Sequence, residues 1–74
     1  MPHISILTVP GHSETEKRQL AEEIAALTTE KLHVDLDMVS VSFQEIPNAE
    51  WRDHMKQFCT DTIYIKPPYL EELL

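Results

Sequence analysis

A proline directly behind the first methionine is the residue of this 74-residue chain whose position could do chemistry. Removal of Met1 by the usual aminopeptidase, which accepts a small second residue, would leave a chain that begins with the secondary amine of Pro2. An N-terminal amine titrates at about 8 in model peptides, and a proline amine is intrinsically more basic. Burial against apolar walls disfavours the ammonium form and draws the pKa down toward neutrality, where one group can take up a proton and then return it. Taken alone, Pro2 also has a plainer reading as a second residue that resists exopeptidases. The histidines and the single cysteine offer no rival metal chemistry. His54 and Cys59 stand five apart at the end of an expected helix with no second close pair, so they form no zinc pattern.

An amine can be a precise acid or base only if the backbone holds it still, and residues 3–9 supply that support. They are β-rich, with Ile4, Ile6 and Thr8 on one face and His3, Ser5, Leu7 and Val9 on the other. Both faces therefore need cover, and His3 alternates away from Pro2 toward a structural or interface position. Pro10-Gly11 ends the strand at the chain's only glycine. Ser13 and Glu16 then make a capping box, opening a helix from Glu14 to about His33 with Leu20, Ala21, Ile24, Ala25, Leu27 and Leu32 near one side. Its charges, Lys17 among them, read as a solvated face.

Residues 38–46 alternate again, Val39, Val41 and Phe43 against Ser40, Ser42 and Gln44. Strand, long helix, strand is a βαβ unit with parallel strands, an α/β arrangement that some schemes call α+β. Beyond it the sequence predicts a short helix over residues 49–59, capped by Asn48 and carrying Trp51, Met55 and Phe58 on one side. A short β-prone run follows at 61–64, then a break at Pro67-Pro68 and an apolar-acidic tail expected to pack on a neighbouring subunit.

The composition bounds what such a domain can do. Residues 1–74 suffice for one domain with a core near the lower limit of independent stability, and one cysteine excludes internal disulfides, so self-association is expected. A net charge of −7 provides no field for nucleic acid or anionic lipid. No apolar run is long enough to span a bilayer, and the N-terminus lacks the pattern of a signal peptide. A reducing cytoplasm is the expected compartment.

The order Pro2-x-Ile-x-Ile-Leu, Gly11-x-Ser13 opening a long helix, Val39-Ser-Val-Ser-Phe-Gln-Glu45-Ile46 and an aromatic at Trp51 resembles the 4-oxalocrotonate tautomerase family over roughly residues 2–51. Pro2-His3-Ile4, Ile46-Pro47 and Glu50-Trp51 resemble its dimeric phenylpyruvate-type subgroup, and residues 61–69 are similar to the tail of its longer bacterial members. The resemblance implies a βαβ tautomerase fold whose two-stranded sheet is completed by oligomerisation, a dimer in preference to a hexamer. It further implies a cofactor-free and metal-free isomerase acting on an enol or dienol α-keto acid, with Pro2 as general acid-base and Trp51 as an aromatic wall. The family's arginines are replaced here by His12 and Ser40. That favours a monocarboxylate or an aromatic enol such as phenylenolpyruvate over a dicarboxylate, because an arginine fork binds a carboxylate in a way serine cannot. His12, Ser40 and Gln44 become the candidate hydrogen-bond partners of the substrate. His12 reads equally as an exposed turn residue, Ser40 and Gln44 as contacts to a partner's backbone, and Trp51 as core. Two other readings stay open at this point: a dehalogenase or hydratase on the same fold, and a non-catalytic oligomeric binding subunit.

Overall fold

The computed structural model describes residues 1–58 and 60–73. Strand β1 (His3–Thr8) leads to helix α1 (Glu14–Leu32), which returns the chain to strand β2 (Ser40–Glu45) beside β1. The strands pair in parallel from His3 opposite Ser40 to Thr8 opposite Glu45. The Ser40 N–H donates to the Pro2 carbonyl at 3.2 Å, and the Ile46 N–H donates to the Thr8 carbonyl at 2.9 Å, so the ladder runs one residue past each end. β2 begins later than its sequence pattern because Leu36–Met38 winds into a 3₁₀ turn before it, and β1 ends at Thr8, one residue short of its own.

Alternation in this register puts Ile4, Ile6 and Thr8 on one face with Val41, Phe43 and Glu45. Helix α1 lies on that face. Its start is the expected capping box: the Glu16 N–H donates to Ser13 Oγ at 3.1 Å, and the Ser13 N–H donates to a Glu16 carboxylate oxygen at 2.9 Å. Its end is His33, at φ 56° in the left-handed region, whose N–H caps the Thr29 carbonyl. Gly11, at φ 131°, makes the turn between β1 and α1 in a conformation that side chains disfavour.

Lys17 departs from the solvated face expected for it. Its side chain is only 15% exposed, and its ammonium lies 2.9 Å from both Glu14 and Glu45, tying the first turn of α1 to the end of β2. Four-fifths of a lysine is methylene stem and can lie along apolar surface while the head stays paired.

The C-terminal third corrects the sequence reading. The helix expected over 49–59 is a 3₁₀ turn, Asn48–Glu50, followed by helix α2 (Trp51–Met55); Asn48 lies inside the turn, and the cap positions fall to Pro47 and Glu50, neither with a side-chain cap bond. Cys59 lies outside the described residues. The β-prone run at 61–64 forms no strand among the described residues, and Thr60–Thr62 is a 3₁₀ turn instead. Pro68 opens a helix where a break was expected: α3 spans Pro68–Leu73. A proline at the first helical position loses nothing, since its missing N–H has no intrahelical partner there. The tail also packs on its own chain, with Leu70 only 2% exposed.

This is an expanded molecule for its size. Its accessible surface is 5865 Å², against about 4,700 Å² for a compact monomer of its mass. Its radius of gyration is 14.0 Å, against about 11 Å expected for a compact chain of this length. Among the described residues only Ile46 and Leu70 are buried hydrophobics, while Leu27, Tyr64 and Ile65 lie largely in the open. On the second face of the sheet, formed by His3, Ser5, Leu7, Ser40, Ser42 and Gln44, every residue but the half-buried Leu7 is exposed.

Candidate functional site

Pro2 stands half-buried at the head of β1. Its carbonyl is fixed by the Ser40 N–H, so the strand pair restrains the backbone that bears its nitrogen. With Met1 in place that nitrogen is an amide, and Met1 itself is 98% exposed. Cleavage between the two would leave an amine held by the ladder rather than by a free terminus.

Beside this position the open sheet face carries a compact polar group that the sequence pattern did not pick out. The His3 ring lies between two hydroxyls of the neighbouring strand, with Nδ1 2.6 Å from Ser40 Oγ and Nε2 3.0 Å from Ser42 Oγ. A neutral imidazole donates from one nitrogen and accepts at the other, so one serine receives a proton from the ring and the other gives one to it. The signal was present in the sequence: parallel strands starting at His3 and Ser40 put a histidine opposite two alternating serines.

The other candidates lie elsewhere. Strand rise is about 3.3 Å per residue, which places Thr8 about 20 Å beyond Pro2. His12 lines a cleft together with Thr8, at the far end of the strands from Pro2. Gln44 shares the open face with Ser40 but pairs with Leu7 near that same far end. Trp51 follows β2 across a short link, most of it the turn Asn48–Glu50. It is half-buried, and its indole Nε1–H donates to Tyr69 Oη at 2.8 Å. One copy of the chain therefore brings together Pro2, Ser40 and His3 at one end of the sheet, and holds His12 and Gln44 at the other, the end from which the link to Trp51 leaves.

A cleft of about 230 Å³ between α1 and the covered sheet face is lined by Ile6, Thr8, His12, Glu16, Lys17, Leu20 and Phe43. Pro2 is absent from its lining. Lys17 offers this cleft no free positive charge. Hydrogen bonds to Glu45 and then Glu14 raise its pKa above the ordinary lysine value, and the same ammonium, through its hydrogen bond and its charge, lowers the pKa of Glu14. The Glu16 carboxyl is likewise lowered, first by the Ser13 backbone N–H. Lys17 was legible as a cleft residue from its place three before Leu20 and seven before Ile24 on the helix. No group of three or more His, Cys, Asp or Glu among the described residues is placed to hold a metal ion, and no helix among them is long and apolar enough to cross a membrane.

No family model matches the chain. Individual relatives do. It is 35% identical to the tautomerase PptA of Pectobacterium carotovorum subsp. carotovorum, over 93% of this chain and 97% of that protein. It is also 35% identical to a probable tautomerase of Xylella fastidiosa over 51 residues, which are 69% of this chain and 62% of that longer protein. Among solved structures, TomN, a 4-oxalocrotonate tautomerase homologue of the tomaymycin biosynthetic pathway, superposes with a TM-score of 0.65 at 30% identity, covering 68% of this chain and 77% of TomN. The apo form of unfused 4-OT gives a TM-score of 0.64 at 26% identity, over 66% of this chain and 80% of that one. The parallel βαβ unit that these structures share with it and the near full-length similarity to PptA together make the chain a member of the 4-oxalocrotonate tautomerase family.

Proposed function

We propose that the chain is a cofactor-independent keto–enol tautomerase in which the amine of Pro2, freed by removal of Met1, carries the proton. The observation that supports this most is the anchoring of Pro2 at the head of a paired strand, its carbonyl held by Ser40. The neutral amine takes the enol O–H proton, the electron pair moves to form the C=O bond, and the resulting ammonium delivers a proton to the adjacent carbon. The net change is one proton moved from oxygen to carbon, and Pro2 is returned to its starting state.

The substrate class follows from the charges. Ser40 and His12 offer hydrogen bonds where an arginine fork would offer charge, and Lys17 is already engaged by two carboxylates. A dianion has no strong counter-charge here, which favours a monocarboxylate or aromatic enol such as phenylenolpyruvate.

The separation of Pro2 from His12 supports a site completed by a second copy. Two chains whose sheets pair about a two-fold axis set the N-terminal end of one beside the C-terminal end of the other, so that Pro2 and Ser40 of one face the His12, Gln44 and Trp51 end of its partner. The surplus surface of about 1,200 Å² per copy is of the size a stable homodimer buries, and a dimer is the assembly proposed.

The test is the rate of phenylenolpyruvate ketonisation by the wild type and by Pro2→Ala, with Met1 removal from both confirmed by mass. The expected loss is at least about 100-fold, the usual contribution of a positioned acid-base group. Equal rates would remove Pro2 from the reaction.

A further inference from the structure

The indole of Trp51 is the proposed aromatic wall, yet α2, which carries it, is a five-residue helix without a side-chain cap. So short a helix has little intrinsic stability, and it cannot by itself fix the plane of a half-exposed ring. The structure supplies a brace from a different part of the chain. Tyr69 Oη accepts the indole Nε1–H at 2.8 Å across a separation of 18 residues. Tyr69 is itself held: Pro68 opens α3, the Pro67 carbonyl accepts from the Leu70 N–H at 3.0 Å, and Leu70 is the most deeply buried hydrophobic residue described. The C-terminal helix thus anchors through Leu70 and presents the tyrosine hydroxyl to the ring from the next position.

We infer that Tyr69 is a positioning residue for the reaction, setting the orientation of Trp51 through the indole hydrogen bond and thereby the apolar wall against which the Pro2 amine works. This rests on the tautomerase reading above and deepens it, by giving the C-terminal helix a role in the site. The Tyr69 side chain meets the site through the indole N–H. Its hydroxyl acts only through the ring, and since that ring is half-exposed, water can satisfy the indole N–H once the hydroxyl is gone. Loss of the brace therefore changes order more than stability.

Trp51 is the only tryptophan in the chain, so its fluorescence reports this ring alone. In Tyr69→Phe the emission should change in wavelength, anisotropy should fall and acrylamide quenching should rise, while the circular dichroism melt stays within a few degrees of wild type. The value of kcat/KM for phenylenolpyruvate at neutral pH should fall about tenfold, in keeping with the sensitivity of rate to small misplacement. The acid limb of kcat/KM should move to higher pH, because a loosened wall readmits water and lets the amine pKa rise, and a base loses rate below its pKa. In a Trp51→Phe background the same tyrosine change should have no further effect on either kinetic readout. Unaltered emission and an unshifted acid limb in Tyr69→Phe, or an equal loss in the Trp51→Phe background, would overturn the positioning role. If Pro2→Ala abolishes turnover in the same experiments, the proline reading stands when the tyrosine proposal fails. A Pro2→Ala rate equal to that of the wild type brings down both.

Discussion

Diluting the protein should melt it, and the size of the effect counts the copies. The chain exposes 5865 Å², about 1,200 Å² above a compact monomer of its mass. A pair could therefore bury about 2,400 Å², within the range of obligate homodimers. Unfolding is then coupled to dissociation, and the midpoint falls with concentration. With 74 residues at about 2.1 cal/mol/K each, a dimer unfolds with an entropy of about 0.31 kcal/mol/K. Each tenfold dilution shifts the equilibrium by about 1.5 kcal/mol near the melting temperature, which lowers Tm by about 5 °C. A hexamer, losing five such terms over three times the entropy, would lose about 8 °C for the same dilution. The assay is a set of circular dichroism melts between about 1 and 100 μM, with sedimentation velocity at both ends. A Tm independent of concentration, with a folded monomer in the centrifuge, would refute the surface argument. A slope near 8 °C with a six-copy boundary would refute the dimer.

Four further outcomes follow from particular residues. Inactive Pro2→Ala and inactive His12→Ala proteins, mixed under conditions that exchange subunits, should regain activity, because one site in each mixed dimer then has both groups; no recovery would show that the two do not act across the interface, and an active His12→Ala protein would show that His12 plays no part. Gly11→Ala should destabilise by about 1 kcal/mol although the space around it is open, since its φ of 131° is strained for any side chain, and a neutral result in a urea titration would contradict the turn geometry. His33→Gly should stabilise by about 0.5–1 kcal/mol by relieving a left-handed residue at the helix end, and a lower urea midpoint would contradict that cap. Stability should be level from about pH 5 to 10 as far as the Lys17 cluster and the capping box decide it. The lowered pKa values of Glu14 and Glu16 make their contribution present above about 4.3 and lost as acid protonates them, while the raised Lys17 value makes its contribution present below about 10.4 and lost in stronger base. Glu16→Gln should shrink the acid-side fall in urea midpoint, and an unchanged fall would contradict the assignment.

The first two-thirds of the fold was legible because local signals agreed with the long-range pairing. Alternation in residues 3–9 and 38–46 marked both strands to within two residues of their ends, and the Ser13/Glu16 box fixed the helix start to the residue. Lys17 misled because charge outweighs spacing in a simple reading, although its position on the face of Leu20 and Ile24 leads into the cleft. The C-terminal third was read wrongly where segments are short. Four β-prone residues at 61–64 have no strand beside them to pair with, and Pro68 begins a helix instead of breaking one because of where it falls. Within the candidate site, Pro2 and Ser40 could be named from the family resemblance, although the register that sets them side by side comes from the structure. The bracing of Trp51 by Tyr69 could not, since a contact across 18 residues between two short helices leaves no periodic trace.

If the Pro2 nitrogen moves the proton, its own titration must govern the rate. In protein labelled with ¹⁵N at proline and shown by mass to lack Met1, the amine resonance can be followed against pH beside the pH dependence of kcat/KM for phenylenolpyruvate. The expected amine pKa lies below that of a free proline N-terminus and coincides with the acid limb of the rate. An amine that titrates as it would in water, or a rate that rises and falls at a pH where Pro2 does not titrate, would contradict it.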